Sequence, residues 1–149
     1  MHAQPFRFFS RSLLAVLIGV SLSLASLGAL AADKLKVVYH LSDYDKVAFV
    51  LSNIDNHIKG VGGPDKVDIV LVVHGPALKA FEKTQAEPRL LERIAGLRQS
   101  KVELDACGNT LKAEQLTLGN LPEGFVRVDQ GGVVRIAELQ HEGYLYIRP

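Results

Sequence analysis

The sequence predicts an α/β fold in which a parallel sheet is covered by helices on both faces. Five short segments rich in β-branched and aromatic residues alternate with segments whose apolar residues recur at helical spacing. One predicted strand, residues 67–73, is apolar at nearly every position, which is typical of a central strand buried on both faces. Such alternation requires crossover connections, and right-handed crossovers leave few possible arrangements.

The first thirty residues have the pattern of an export signal. Arg7 and Arg11 form a short basic region, residues 13–30 are apolar or small throughout, and a small-x-small cleavage motif closes the run. An uncleaved membrane anchor is the alternative, because the apolar run approaches the length that spans a bilayer. The cleavage motif favours removal of residues 1–31. We therefore expect a periplasmic protein without stable membrane insertion after cleavage, formed by a single domain over residues 32–149.

The first half of this domain is predicted to run strand, helix, strand. Residues 35–41 are rich in β-branched and aromatic side chains, which favour a strand. Ser42 and Asp43 are helix-capping residues, and the helix is predicted to continue to about Lys59. Five apolar residues at helical spacing indicate that one helix face is buried: Val47, Val50, Leu51, Ile54 and Ile58. A turn rich in glycine then leads into the strand at residues 67–73.

The second half continues the alternation. A short helix is expected from Ala77 to about Lys83, and Pro88 is placed to open the next helix. Four residues of that helix are expected to point inward, namely Leu90, Leu91, Ile94 and Leu97. The remaining elements, in order a strand, a helix, a strand, a helix and a strand, are predicted at residues 101–106, 110–116, 125–128, 132–141 and 144–147.

The composition excludes several classes of function. The chain has 17 basic and 16 acidic residues and no basic run, so nucleic acid is not an expected partner. The glycines at positions 60, 62 and 63 follow a helix and precede a strand, the reverse of the order in a dinucleotide-binding turn. The chain contains no Gly-x-Ser-x-Gly, Cys-x-x-Cys or His-Glu-x-x-His motif. No cofactor is therefore expected.

Cys107, the only cysteine, is the strongest candidate for a reactive group. An exported protein with one cysteine cannot form an internal disulfide. Its thiol is therefore a buried group without a chemical role, a partner in a disulfide between molecules, or a reactive group. Cys107 follows a predicted strand and precedes a helix-start signal, Gly108-Asn109-Thr110. The N-terminus of a helix stabilises a thiolate, so this position favours a reactive thiol.

Two histidines are predicted to lie at the same edge of the sheet as Cys107. His40 is at the end of the first strand and His74 at the end of the second. Strand ends meet at one edge of a parallel sheet, and this edge is where open α/β folds bind ligands. His40 and His74 are therefore candidate bases or electrostatic partners of the thiolate. The alternative role for either histidine is a hydrogen bond to a loop or turn.

A metal site formed by Cys107, His40 and His74 is also conceivable, because imidazole and thiolate suit copper or zinc. Metal sites usually include two ligands close together in sequence, and these three residues lie far apart. No metal is therefore expected.

Four blocks of sequence occur in a characteristic order and spacing, at residues 37–41, 72–76, 105–111 and 140–149. Together they resemble the DsrE/DsrF-like family of sulfur-trafficking proteins, and most closely a small exported subfamily. The resemblance implies a three-layer α/β/α sandwich with a mainly parallel five-stranded sheet, flavodoxin-like in its general layout. It also implies a homo-oligomer, either a trimer or a hexamer.

The resemblance further implies a role for the cysteine. In the sulfur-relay members, the cysteine after the third strand accepts sulfane sulfur as a persulfide and passes it to a partner. Cys107 likewise follows the third predicted strand. The expected function is thus that of a periplasmic sulfur carrier, with unidentified sulfur donor and acceptor. Persulfide transfer needs a nucleophilic thiolate and no cofactor.

Two other functions remain open from the residues alone. The first is a non-catalytic assembly module whose sheet-edge pocket binds a small ligand or metal, in which case Cys107→Ser leaves function intact and His40→Ala or His74→Ala impairs ligand retention. The second is a thiol redox sensor, in which Cys107 forms a disulfide between subunits after mild oxidation.

Overall fold

Five parallel strands form the sheet in the computed structural model of the protein, which describes residues 34–149. The strands are β1 Leu35–Leu41, β2 Val67–Val73, β3 Glu103–Cys107, β4 Phe125–Val128 and β5 Leu145–Ile147. The helices are α1 Val47–Gly60, α2 Pro88–Gln99, α3 Gly108–Ala113 and α4 Gly132–His141. The predicted parallel α/β sheet is confirmed. The signal peptide predicted for residues 1–31 lies outside the described residues.

The strand order is β4-β3-β2-β1-β5, and every neighbouring pair is parallel. The first four strands are added in one direction, and the chain then returns to place β5 on the free side of β1. Because crossovers are right-handed, reversing the direction places the connecting helix on the opposite face. Helix α4, which connects β4 to β5, therefore covers one face, and the helices α1 to α3 pack on the other face.

Successive side chains of each strand point to opposite faces of the sheet, so the apolar core forms two clusters, one on each face. In β1, Val37, Tyr39 and Leu41 belong to the larger cluster, beneath helices α1 to α3. Val38 belongs to the smaller cluster, which Ile136 and Leu139 of α4 complete. Strand β2 supplies residues to both clusters, which accounts for its nearly uninterrupted apolar sequence. Among residues 34–149, no helix combines the length and the apolar composition that a membrane span requires.

Several predicted boundaries differ from the structure. The short helix expected from Ala77 to Lys83 is a 3₁₀ helix over Gly75–Phe81, which begins earlier because Gly75 turns the chain at a φ of +57°. Strand β3 begins at Glu103 and not at residue 101, since Lys101 has a φ of +64° and belongs to the turn after α2. At its other end, β3 includes Cys107 as its last residue.

The first helix also begins later than its capping residues predict. A short 3₁₀ helix over Tyr44–Lys46 precedes α1, and the residue before it, Asp43, makes no side-chain cap. Asp43 instead accepts a hydrogen bond from Arg148 near the C-terminus, at 3.1 Å. The carboxylate thus joins the carboxyl edge of β1 to the end of the chain.

Candidate functional site

The carboxyl edge of the sheet brings His40, His74 and Cys107 into neighbouring positions. Strand β2 lies between β1 and β3, so His74, which directly follows β2, lies between His40 on β1 and Cys107 on β3. This edge also contains the point at which the strand order reverses. Open α/β sheets bind their ligands at such a point.

The two histidines contact each other directly. Their Nε2 atoms are 2.5 Å apart, and the ring planes are inclined at 25°. Nδ1 of His40 lies 2.6 Å from the hydroxyl of Tyr146 on β5. One of the two Nε2 atoms must carry the proton that they share, because a hydrogen bond needs one donor and one acceptor. The result is a continuous hydrogen-bonded chain from the exposed Tyr146 to His74.

Both histidines are neutral near pH 7. The pKa of His40 is lowered to about 4, mainly by burial and also by the neighbouring His74 and Arg148, against the opposing charge of Asp43. Burial also lowers the pKa of His74, again with a contribution from Arg148. The pair therefore offers an unprotonated imidazole that can accept a proton, and no positive charge with which to stabilise a thiolate.

The thiol of Cys107 is stabilised as a thiolate by hydrogen bonds. Its side chain is 5% exposed, and the backbone N–H of Gly132 donates to Sγ at 3.1 Å. Burial raises the thiol pKa, but hydrogen bonds from the Thr110 side chain and from the backbone N–H groups of Gly132, Thr110 and Asn109 outweigh it. The pKa of Cys107 consequently lies below its usual value.

His74 and Cys107 lie next to each other without a hydrogen bond between them. Both pack against Gly132, the first residue of α4: a Cβ built there would lie 3.2 Å from Cβ of His74 and 3.4 Å from Cβ of Cys107. Within residues 34–149, no hydrogen bond joins Sγ to either imidazole. The histidine pair and the thiol are thus adjacent groups that a substrate placed between them would connect.

Thr110 and Tyr146 complete the site, and sequence analysis assigned neither of them a role there. The hydroxyl of Thr110 accepts the backbone N–H of Gly75 at 2.9 Å, which leaves its own proton for the sulfur of Cys107. The consecutive glycines at positions 131 and 132 were the available signal for the close approach of α4 to Cys107. Tyr146 gave no local signal, since strand pairing alone brings it to His40.

The described part of the chain contains no group of three metal-ligating side chains. His57 is half-buried on α1, and its Nδ1 lies 2.9 Å from the hydroxyl of Tyr39. His141 is exposed at the end of α4. Neither of these two histidines belongs to the edge site.

We expect His40→Gln to reduce the loss of stability on acidification. In the native state His40 binds a proton only near pH 4, whereas in the unfolded state it binds one near pH 6.5. The free energy of unfolding therefore falls as the pH drops from 6.5 to 4, and His40→Gln removes this part of the decrease. Solvent screening at a half-buried site limits the difference to about 1–2 kcal/mol.

Urea denaturation at pH 7, 5 and 4 measures this difference. His141→Gln, at the exposed end of α4, is the matched control and is expected to follow the wild type. An equal decrease in the wild type and in His40→Gln would contradict the prediction.

Comparison with known proteins agrees with this architecture. A sequence profile of the DsrE/DsrF-like family matches residues 21–149. The solved structure of MTH1491 from Methanobacterium thermoautotrophicum, described as a protein of unknown function, is 30% identical. The alignment covers 78% of this chain and 100% of that one, with a TM-score of 0.68.

A second solved structure supports the fold alone. BT1422 from Bacteroides thetaiotaomicron, also described as a protein of unknown function, is 16% identical, with a TM-score of 0.58. It covers 82% of this chain and 100% of its own. A search of curated proteins found no match. Given the profile match over most of the sequence and the shared sheet architecture, the chain belongs to the DsrE/DsrF-like family, a family linked to sulfur relay.

Proposed function

We propose that the protein is a periplasmic sulfur carrier that holds sulfane sulfur as a persulfide on Cys107. The observation that carries this proposal is the set of hydrogen bonds that lowers the pKa of a thiol at the ligand-binding edge of the sheet. A thiol that only filled the core would need no such donors, and burial alone would raise its pKa. Membership of a family linked to sulfur relay supports the same conclusion.

The transfer step needs no oxidant. The thiolate of Cys107 attacks the outer sulfur of a donor persulfide, R–S–SH, and a new S–S bond forms while the S–S bond of the donor breaks. The electron pair of the broken bond leaves with the donor as R–S⁻, and Cys107 becomes Cys–S–SH. The same exchange in reverse passes the outer sulfur to the thiolate of an acceptor.

The histidine pair accepts and relays a proton during this exchange. When sulfur is passed on, the acceptor thiol that enters the site must lose a proton to become the nucleophile that attacks the outer sulfur of the loaded persulfide. Neutral His74, adjacent to Cys107, accepts that proton, and the shared hydrogen bond carries charge to His40 and to the exposed Tyr146. His74 is thus the proposed base, and His40 is the group that relays the proton.

Access to Sγ sets a requirement on the partners. Sγ is largely buried, and the outer sulfur of a persulfide stands about 2 Å beyond it. Delivery to Cys107 therefore requires a small or extended donor group, and the loaded persulfide is easier to reach than the free thiol. We further propose, from the family resemblance, that the protein acts as a homotrimer or homohexamer with a separate sulfur donor and acceptor.

Intact mass spectrometry tests the proposal. Purified protein is incubated with inorganic polysulfide and alkylated, and the wild type is expected to gain the mass of one or more sulfur atoms, reversibly with reductant. Cys107→Ser is the control and should gain none. His74→Gln is expected to lose the bound sulfur to an added acceptor thiol more slowly than the wild type. A wild-type protein that stays unmodified under these conditions would overturn the proposal.

A second candidate function is a non-catalytic module that binds a small ligand. It is favoured by one observation: Tyr146, His40 and His74 form a polar cluster at the carboxyl edge of the sheet, whereas Cys107 is almost completely buried. In that case Cys107 resists both alkylation and polysulfide in the folded protein. The same mass measurement therefore separates the two functions.

A further inference from the structure

Helix α4 is joined to strand β3 by three polar contacts in a row. Glu103, Asp105 and Cys107 alternate along β3 and share one face, and Gly132 and Arg135 lie one helical turn apart on α4. Gly132 N–H donates to Sγ of Cys107 at 3.1 Å. The guanidinium of Arg135 donates to Asp105 Oδ2 at 2.8 Å through Nε and to Glu103 Oε1 at 2.9 Å through Nη2.

Asp105 is unusual among these residues because it is a carboxylate in the core. Its exposure is 0%, and its Oδ1 atom has no hydrogen-bond partner within the described residues. Burial raises the pKa of Asp105 to about 6, against the opposing hydrogen bond from Arg135. A buried carboxylate with an unsatisfied oxygen is costly, and an apolar residue would fill this strand position at lower free energy. Packing alone therefore does not account for Asp105.

The first turn of α4 has few other attachments to β3. Gly131, which precedes the helix at a φ of +93°, has no side chain with which to cap it. Val133 and Val134 are 68% and 47% exposed, so neither ties the turn to the sheet. Arg135 is thus the polar side chain of this turn that joins it to β3, on the same face as the contact between Gly132 and Cys107.

We propose that the ion pair between Asp105 and Arg135 is a positioning device for the thiolate, which holds the first turn of α4 so that the Gly132 N–H stays within hydrogen-bonding distance of Sγ. This inference rests on the proposed function, in which Cys107 is the reacting group. Asp105 and Arg135 touch neither the sulfur nor a substrate, and they act through the backbone of Gly132. The unfavourable burial of Asp105 is then a feature of the reactive site.

The pH dependence of alkylation by iodoacetamide tests the inference, because only the thiolate reacts. Arg135→Gln and Asp105→Val each remove the ion pair, and valine suits a buried strand position. Both variants are expected to raise the thiol pKa by at least about half a unit, which lowers the alkylation rate about threefold at a pH below that pKa. Arg93→Gln is the matched control, since Arg93 makes an ion pair of similar length with the more exposed Asp55, at 2.9 Å between α1 and α2.

The sign of the two effects separates positioning from direct electrostatics. A direct charge effect would raise the thiol pKa when Arg135 is neutralised and lower it when Asp105 is neutralised, whereas loss of positioning raises it in both variants. Opposite signs, or an unchanged pKa in folded Arg135→Gln, would overturn the inference. Where Arg135→Gln fails to fold, Asp105→Val decides the question alone: a raised thiol pKa supports positioning, and a lowered or unchanged thiol pKa overturns the inference.

Failure of the proposed function is distinguishable from failure of this inference. If the wild type takes up no sulfur but both substitutions raise the thiol pKa, the sulfur-carrier function is contradicted and the positioning role of the ion pair is supported. A wild type that takes up sulfur, while neither substitution changes its thiol pKa, keeps the function and removes the device.

Discussion

Thr110→Val is expected to lower the rate at which iodoacetamide alkylates Cys107 by about tenfold, at a pH below the thiol pKa. The Thr110 side chain lowers the pKa of the Cys107 thiol, and a hydrogen bond to a charged group contributes about 1.5–3 kcal/mol. Valine has nearly the same shape and lacks the hydroxyl. Its introduction also leaves the N–H of Gly75 without the acceptor that it has at 2.9 Å.

The alkylation rate measured across pH 5 to 9 gives both the thiol pKa and the limiting reactivity of the thiolate. Thr110→Ser is the matched control, because serine keeps the hydroxyl that accepts from Gly75 and donates to Cys107. We expect the profile of Thr110→Ser to stay close to that of the wild type and the profile of Thr110→Val to move to higher pH. Superimposed profiles for valine and wild type would show that the Thr110 hydroxyl does not stabilise the thiolate.

Gly108→Ala is expected to destabilise the protein by about 1–3 kcal/mol through overpacking. A Cβ at this position would lie 2.9 Å from the carbonyl oxygen of Val128 and 3.2 Å from Cα of Asp129. Both are backbone atoms, so no side-chain rotation can relieve the contact. The corner between β3 and α3 would have to move away from the end of β4, and Cys107 would move with it.

Gly96→Ala is the control for this substitution. Gly96 lies within α2, and a Cβ there would meet nothing within 4 Å. Alanine in the interior of a helix is more favourable than glycine by about 0.5–1 kcal/mol, so this variant is expected to gain stability. Urea denaturation of both variants should therefore give changes of opposite sign. A loss of stability in Gly96→Ala, or none in Gly108→Ala, would contradict the argument from close approach.

Much of the fold followed from local patterns. The apolar run of β2 and the helical spacing in α1 each indicate a secondary structure and a buried face, and both are confirmed at those positions. The type of helix at Gly75–Phe81 is harder to predict, because a short apolar sequence after proline does not distinguish a 3₁₀ helix from an α-helix. The position of Cys107 between a strand and a helix was also evident, since both signals are adjacent in sequence.

Which strands lie side by side at the site is known only from the tertiary structure. The sequence alone established that His40, His74 and Cys107 end three successive strands, and that the ends of parallel strands share an edge. The order β4-β3-β2-β1-β5 placed His74 in the middle and Tyr146 beside His40, 106 residues away in the chain. Likewise, α4 met β3 through partners 25 to 32 residues apart. Periodicity reports which face of an element is buried, whereas the neighbour that buries it depends on pairing between distant segments.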